Sequence, residues 1–236
     1  PIVLRGEIEE RGYWKGMSVE SKSSSNVLDH VELAHGGASN WNGNGDSIGA
    51  IWLTEEAKLQ ISNSVLRESG WYALISNPGA DIEGFANNSV EDNERAINVS
   101  GDAAAMVDAS NAFTNNDDEN VVRVGMNSEA TINNSGSWMA LSVPYFVSKR
   151  LRLNNDVEFE AGADITVAQD VEILVQDEGT LAIRGSDGDR VTVRGAEDLV
   201  GYWQGISYAS EGAVQFADNS MEAVSYYAIQ ASAKLA

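Results

Sequence analysis

The chain has two histidines, His30 and His35, in the run DHVELAH. In an extended strand, side chains two apart share a face, so His30 stands beside Glu32 in the manner of a general acid–base pair. Exposed His–Glu neighbours on a β surface are also ordinary solvated pairs. Asp117-Asp118 supplies a carboxylate pair, but its setting, NNDDEN, reads as a polar turn. With 36 acidic residues in the chain, some pair will meet the spacing of a glycosidase by chance.

A second set of chemical groups lies in the long loop Gly36-GASNWNGNGDSIG, residues 36–49. Asn42, Asn44 and Asp46 alternate as oxygen donors, as at the opening of a calcium loop, although Leu53 stands where a bidentate Glu would close it. No cofactor is required by any motif, and Ca2+ is the one ion the pattern suggests. Trp41 in this loop, with Trp52 and Trp71-Tyr72 in the following segments, offers an aromatic platform for sugar rings. The same aromatics could instead pack beneath the loop as satellite core.

These residues need a scaffold, and the scaffold is periodic. The segment IVLRGEIEERGYWKGMSVES, from Ile2 to Ser21, recurs as VTVRGAEDLVGYWQGISYAS, from Val191 to Ser210, with eight identities including GYW-x-G. Within that long period, Lys58-LQISNSVLRESGWYALIS, Asp81-IEGFANNSVEDNERAINVS and Ala105-MVDASNAFTNNDDENVVRVG repeat at roughly 23 to 25 residues. Apolar residues alternate with period two, as strands require and helices do not. An Asn recurring once per coil tolerates a left-handed corner and can hydrogen-bond to its equivalent in the next coil. Asn63, Asn88 and Asn111 are the expected ladder, with Asp29 and Asn219 in the same phase. From Trp138 the coils shorten to about 20 residues. There, Leu151 and Leu153, Val157 and Phe159, Ile165 and Val167, Ile173 and Val175, and Leu181 and Ile183 form i, i+2 pairs for a buried face.

Composition bounds the partners. A formal net charge of −21 repels nucleic acid and anionic membranes, and no apolar run approaches the roughly 20 residues of a spanning helix. The absence of cysteine removes both disulfides and thiolate metal sites.

The segments PYFVSKRLRLNNDVEFEAGADITV (144–167), EGTLAIRGSDGDRVTVRG (178–195) and the W-x-G element at Trp203, Gly205 and Ile206, and again at Trp14, Gly16 and Met17, resemble the pectin-lyase-like superfamily. Within it, they resemble the bacterial secreted and cell-surface repeat proteins. That resemblance implies an all-β fold, a right-handed parallel β-helix (β-solenoid) with an asparagine ladder. It implies that residues 1–137 are the later part of one repeat unit and 138–236 the start of the next. The Gly-His-Gly and Arg-x-Lys of polygalacturonate hydrolases in that superfamily are not found here.

The expected function is therefore an extracellular structural or adhesive, non-catalytic solenoid from a larger precursor. Its expected partners are itself, end to end, neighbouring cell-surface proteins, and polysaccharide. A polysaccharide lyase, a glycoside hydrolase or a carbohydrate-binding module is the alternative.

Overall fold

A computed structural model describes residues 2–41, 48–125, 129–176, 178–209, 213–217, 220–222 and 229–232. The chain divides into two compact units, Pro1–Arg123 and Val124–Ala236. Both are all-β and built from parallel sheets, as a parallel β-helix requires. The one helix among the described residues is the single turn α1, Gly101–Ala104, capped by the Ser100 hydroxyl.

The first unit contains β1 (Ile2–Arg5), β2 (Met17–Val19), β3 (Val27–Asp29), β4 (Val31–Ala34), β5 (Gly49–Leu53), β6 (Gln60–Ser62) and β7 (Val65–Arg67). It continues with β8 (Tyr72–Ser76), β9 (Ser89–Glu91), β10 (Arg95–Val99), β11 (Ala112–Thr114) and β12 (Glu119–Val124), whose last residue opens the second unit. Strands β1, β4, β7, β9 and β11 form one sheet in that order, and β2, β5, β8, β10 and β12 follow one another in a second. A third face begins with the β3–β6 pair and continues as isolated bridges, Lys58 with Asp81 and Phe85 with Val107.

Neighbours in space are thus one coil apart in sequence. Met17 pairs with Ile51, and Ile51 pairs in turn with Leu74, so the first of these two coils is the longer. The loop at 36–49 accounts for the difference, and the register resumes beyond it. Alternate residues of each strand point inward, so inward columns form across the coils, and β8 is buried along its whole length. Leu33, Leu66, Val90 and Phe113 make one, at 0–3% exposure, and Ile51, Leu74 and Ile97 make another, at 0%. Fully burying each such side chain contributes about 1.5–3 kcal/mol before the cost of ordering the chain.

The second unit contains β13 (Ala130–Ile132), β14 (Gly136–Trp138), β15 (Tyr145–Val147), β16 (Leu151–Leu153), β17 (Val157–Phe159) and β18 (Asp164–Val167). After these come β19 (Glu172–Val175), β20 (Thr180–Arg184), β21 (Thr192–Gly195), β22 (Gly205–Ala209), β23 (Ala213–Ala217), β24 (Ser220–Glu222) and β25 (Ile229–Ser232). They fill three parallel faces in strict rotation: β13-β16-β19-β22-β25, β14-β17-β20-β23 and β15-β18-β21-β24. The short coils anticipated from Trp138 onward are present only at first, with Tyr145 opposite Ile165 and Leu151 opposite Ile173; the coils then lengthen, with Asp164 opposite Thr192 and Glu172 opposite Gly205. All five i, i+2 pairs expected to point inward are buried, at 0–2% exposure. Trp138 stacks against Tyr145, centroids 4.7 Å apart, and tilts against Phe159 at 5.1 Å, forming an aromatic plug inside this unit.

The repeated segment takes the same local form twice. In each copy a strand leads into a loop, a glycine at positive φ (Gly12 at 67°, Gly201 at 80°), and a second such glycine at the start of the next strand, Gly16 (102°) just before β2 and Gly205 (88°) as the first residue of β22. At Gly16 a Cβ would stand 2.1 Å from the Ala50 carbonyl oxygen, so the W-x-G element needs its glycine for close approach as well as for φ.

Candidate functional site

In the first unit the corner that follows β4 is His35, at φ 63°. The same corner in the next three coils is Glu68 (53°), Asp92 (54°) and Asn115 (54°). Left-handed backbone is common for Asn and Asp and strained for His and Glu, at a cost of order 1–3 kcal/mol unless surroundings hold it. Because β4, β7, β9 and β11 are in register, these four polar side chains recur at one edge of the sheet, about 4.8 Å apart per coil.

The loop between β1 and β2 folds over the first of them. The Trp14 amide donates to the His35 carbonyl at 3.3 Å and its indole N–H to the Ala34 carbonyl at 2.8 Å. His35 is consequently 1% exposed. Its Nε2 lies 2.6 Å from Glu68 Oε2, and its Nδ1 is buried without a partner among the described residues. Glu68 Oε2 also meets Arg67 Nη1 at 2.8 Å, and Arg67 donates through Nη2 and Nε to Glu32 Oε1 at 2.6 and 2.9 Å. Hydrogen bonding to Glu32 pushes the Arg67 guanidinium further toward its charged form. Glu9, Arg11, Arg67, Glu68 and Asp92 line a cleft of about 470 Å3 beside this chain of charges. Its walls carry both signs, which suits a polyhydroxyl or zwitterionic group better than a simple ion.

His30 and Glu32 are not brought together. His30 is itself a left-handed corner (φ 55°), its Nδ1 lies 2.9 Å from Asp29 Oδ2, and Glu32 is engaged by Arg67. The histidine that meets a carboxylate of a neighbouring coil is His35. The signal available in the sequence was the register: His35 stands to Glu68 as Glu32 stands to Val65, its partner across β4 and β7.

Trp41 and Trp52 do come together, stacked at 5.8 Å and 12°. Both rings are engaged by the chain itself. Lys15 Nζ sits 4.6 Å over Trp41, whose N–H donates to the Gly49 carbonyl at 2.9 Å, and Trp52 N–H donates to Asn77 Oδ1 at 3.3 Å. The pair fastens the long loop to the sheet. Trp71 and Tyr72 form a separate edge-to-face pair, with the Arg95 guanidinium 3.9 Å from the Trp71 centroid. Tyr72 is 3% exposed, and burial pushes its phenol up to about 12. A single sugar platform built from all four aromatics therefore does not form. Asn42, Asn44 and Asp46 lie outside the described residues, as does Asn219. Among the described residues no cluster of three or more His, Cys, Asp or Glu side chains is arranged to hold a metal ion.

The ladder exists and is double. Asn88 Nδ2 and its backbone N–H both donate to Asn111 Oδ1 at 3.0 Å, and Asn88 Nδ2 also reaches the Ile61 carbonyl. Five positions on, Asn93 repeats this with Asn116, at 3.2 Å from its amide and 2.9 Å from its side chain. In the preceding coil Ser64 and Ser69 supply the next rungs, each backbone N–H donating to Asn88 or Asn93 Oδ1 at 3.0 and 2.9 Å. Asn63 stands one position out of the first column. It is an exposed left-handed corner, and its amide donates to Asp29 Oδ1 at 2.8 Å, making a separate outer link between coils. The spacing of five, at Ser64/Ser69, Asn88/Asn93 and Asn111/Asn116, is the sequence mark of the second ladder.

In the second unit, Ser137, Asp156, Glu158, Thr180, Arg184 and Gln215 line an open groove of about 520 Å3 on the outer side of β14, β17, β20 and β23. Arg184 bridges it, 3.5 Å from Glu158 and 3.3 Å from Gln215. No family model, no curated protein and no solved structure matches the chain.

Proposed function

We propose that this chain is a structural and adhesive element: a stretch of right-handed β-solenoid, pectin-lyase-like in kind and displayed outside a bacterial cell, whose repeat units join end to end. The right hand follows from the general preference of parallel crossover connections. The observation that carries the reading is where the polar side chains are used. They bind one coil to the next through two buried Ser/Asn columns and through ion pairs that step between coils, such as Arg67–Glu32 at 2.6 Å, Arg152 with Glu129, and Arg194–Asp164 at 3.0 Å. Side chains engaged in this way stiffen a stack. The polar groove of the second unit and the two-signed cleft of the first are the places where glycans or neighbouring proteins would be held, without chemistry being done on them. Ca2+ bound by the long loop would act as a joint against the −21 charge.

The test is electron microscopy of the purified chain in millimolar calcium and in chelator. Particles many times longer than one chain are expected in calcium and shorter ones in chelator. Dispersed short particles under both conditions would overturn the assembly reading.

A further inference from the structure

The two copies of the repeated segment differ in what lies against them. In the second copy, β21 is covered by β18, with Asp164 opposite Thr192 and Val167 opposite Gly195. Likewise β22 is covered by β19, with Glu172 opposite Gly205 and Val175 opposite Tyr208. In the first copy, β1 and β2 are the outermost described strands of their sheets, and their far edges are open.

The consequence can be read position by position when Ile2 is set against Val191 and the rest follow in step. Ile2 is 64% exposed and its counterpart Val191 0%. Leu4 and Met17 are half-buried, whereas Val193 and Ile206 are buried. Two polar positions make the comparison specific. Arg194 donates to Asp164 of the covering coil at 3.0 Å, whereas among the described residues its counterpart Arg5 meets only the exposed local carboxylate of Glu9. The Ser207 hydroxyl donates to Glu172 of the covering coil, whereas the counterpart hydroxyl of Ser18 is buried without a hydrogen-bond partner among the described residues. Where the second copy receives two carboxylates from its neighbour, the first retains the two groups that would bind them.

We infer that the open edges of β1 and β2 form a docking surface for one particular occupant: a parallel coil of the Asp164–Val175 class, the closing coil of a preceding repeat, which delivers one carboxylate to Arg5 and another to Ser18. Unpaired strand edges take added strands readily, and the internal example fixes which strands and in what register. Residues equivalent to Asp164–Val167 fall opposite Val3–Gly6, and those equivalent to Glu172–Val175 opposite Gly16–Val19. A second copy of this chain does not supply that coil as it stands, because its own β18 and β19 are already bonded on that side to β21 and β22. The inference rests on the proposed repeat architecture and specifies the joint between consecutive repeats of one chain, not the contact between separate copies.

The test extends the full chain at its N-terminus with a second copy of residues 144–189, so that Asp189 of the added copy runs into Pro1 as Asp189 of the chain runs into Arg190. Amide hydrogen exchange is then read at Val3–Gly6 and Gly16–Val19. Slowing by about 100-fold is expected, as for strands passing from an edge to the interior of a sheet. A control extension with residues 58–103 is expected to leave exchange fast. No slowing, or equal slowing by both extensions, overturns the inference. In the matched extension, Asp164→Arg in the added copy should restore fast exchange, and combining it with Arg5→Asp should slow exchange again. Indifference to both changes overturns the carboxylate assignment. Because the extension carries its own occupant, this result stands apart from whether the chain forms long particles by itself.

Discussion

Ile2–Ser21 and Val191–Ser210 are closely similar sequences in two situations. Each makes the strand, the loop with its GYW-x-G turn and the second strand, so local structure follows from the residues themselves: glycines at positive φ and the alternation of the two strands. Burial does not follow. Val191 and Val193 are wholly inside and Ile206 is 1% exposed because a coil lies against each face of that segment, whereas Ile2 and Val3 meet a neighbour on one side only. What the pair teaches is that in a stacked architecture the stability of a residue is a property of its neighbours, close to a sum of coil and interface terms.

The largest expected difference comes from removing the same apolar contact in both copies. Ile206→Ala should cost about 2–5 kcal/mol in urea unfolding, as for large-to-small changes in a closed core. Met17→Ala, at the counterpart position and only half-buried, should cost about 1 kcal/mol. Equal effects would mean that the covering coil contributes nothing.

A smaller effect tests how the first copy is held on its one covered side. Ile2 pairs with Val31, whose amide donates to Ser64 Oγ at 3.1 Å, and Ser64 in turn donates its own amide to Asn88. Ser64→Ala strands the Val31 N–H in a buried site, at about 1–3 kcal/mol. Amide exchange should quicken in β4 and β1 and remain unchanged in β21.

How much of this was legible beforehand differs by device. The inward pairs from Leu151 to Ile183 were readable because period two and burial are the same fact in a strand. The ladder was readable in kind but not in phase. Asn87 and Asn88 are adjacent and do different work, one as a left-handed corner and the other as a rung, and Asn63 aligns with the corner. Nothing in residue type separates those roles; only the register does. His30 misled for a related reason, since its place is set by its backbone angle rather than by its imidazole. Tyr72 follows Trp71 in sequence, but Tyr72 opens β8 with its ring buried while Trp71 stands in the bend before the strand, half-buried and perpendicular to it, so the two do not share a platform.

The smallest predicted effect is electrostatic and belongs to the coil beside the first copy. Hydrogen bonds from Asn63, then His30 and Ser62, hold the Asp29 carboxyl down at about 2. A depressed folded-state value means that the stabilisation is present above the ordinary aspartate range near 3.9 and is lost as pH falls toward 2. Exchange in β3 and β6 should quicken over that window, and Asn63→Ala should remove most of the dependence.

Coil length varies along both units while register does not. In the second unit Leu151 meets Ile173, Ile173 meets Ile206, and Ile206 meets Ile229, the middle step being much the longest of the three. Position along the stack is therefore counted in corners rather than in residues, much as a page number is indifferent to the words on the page. An insertion between corners is corrected within its own turn and leaves no trace in the next. A gene encoding such a chain can lengthen or trade its outer loops freely, provided that it never drops a corner.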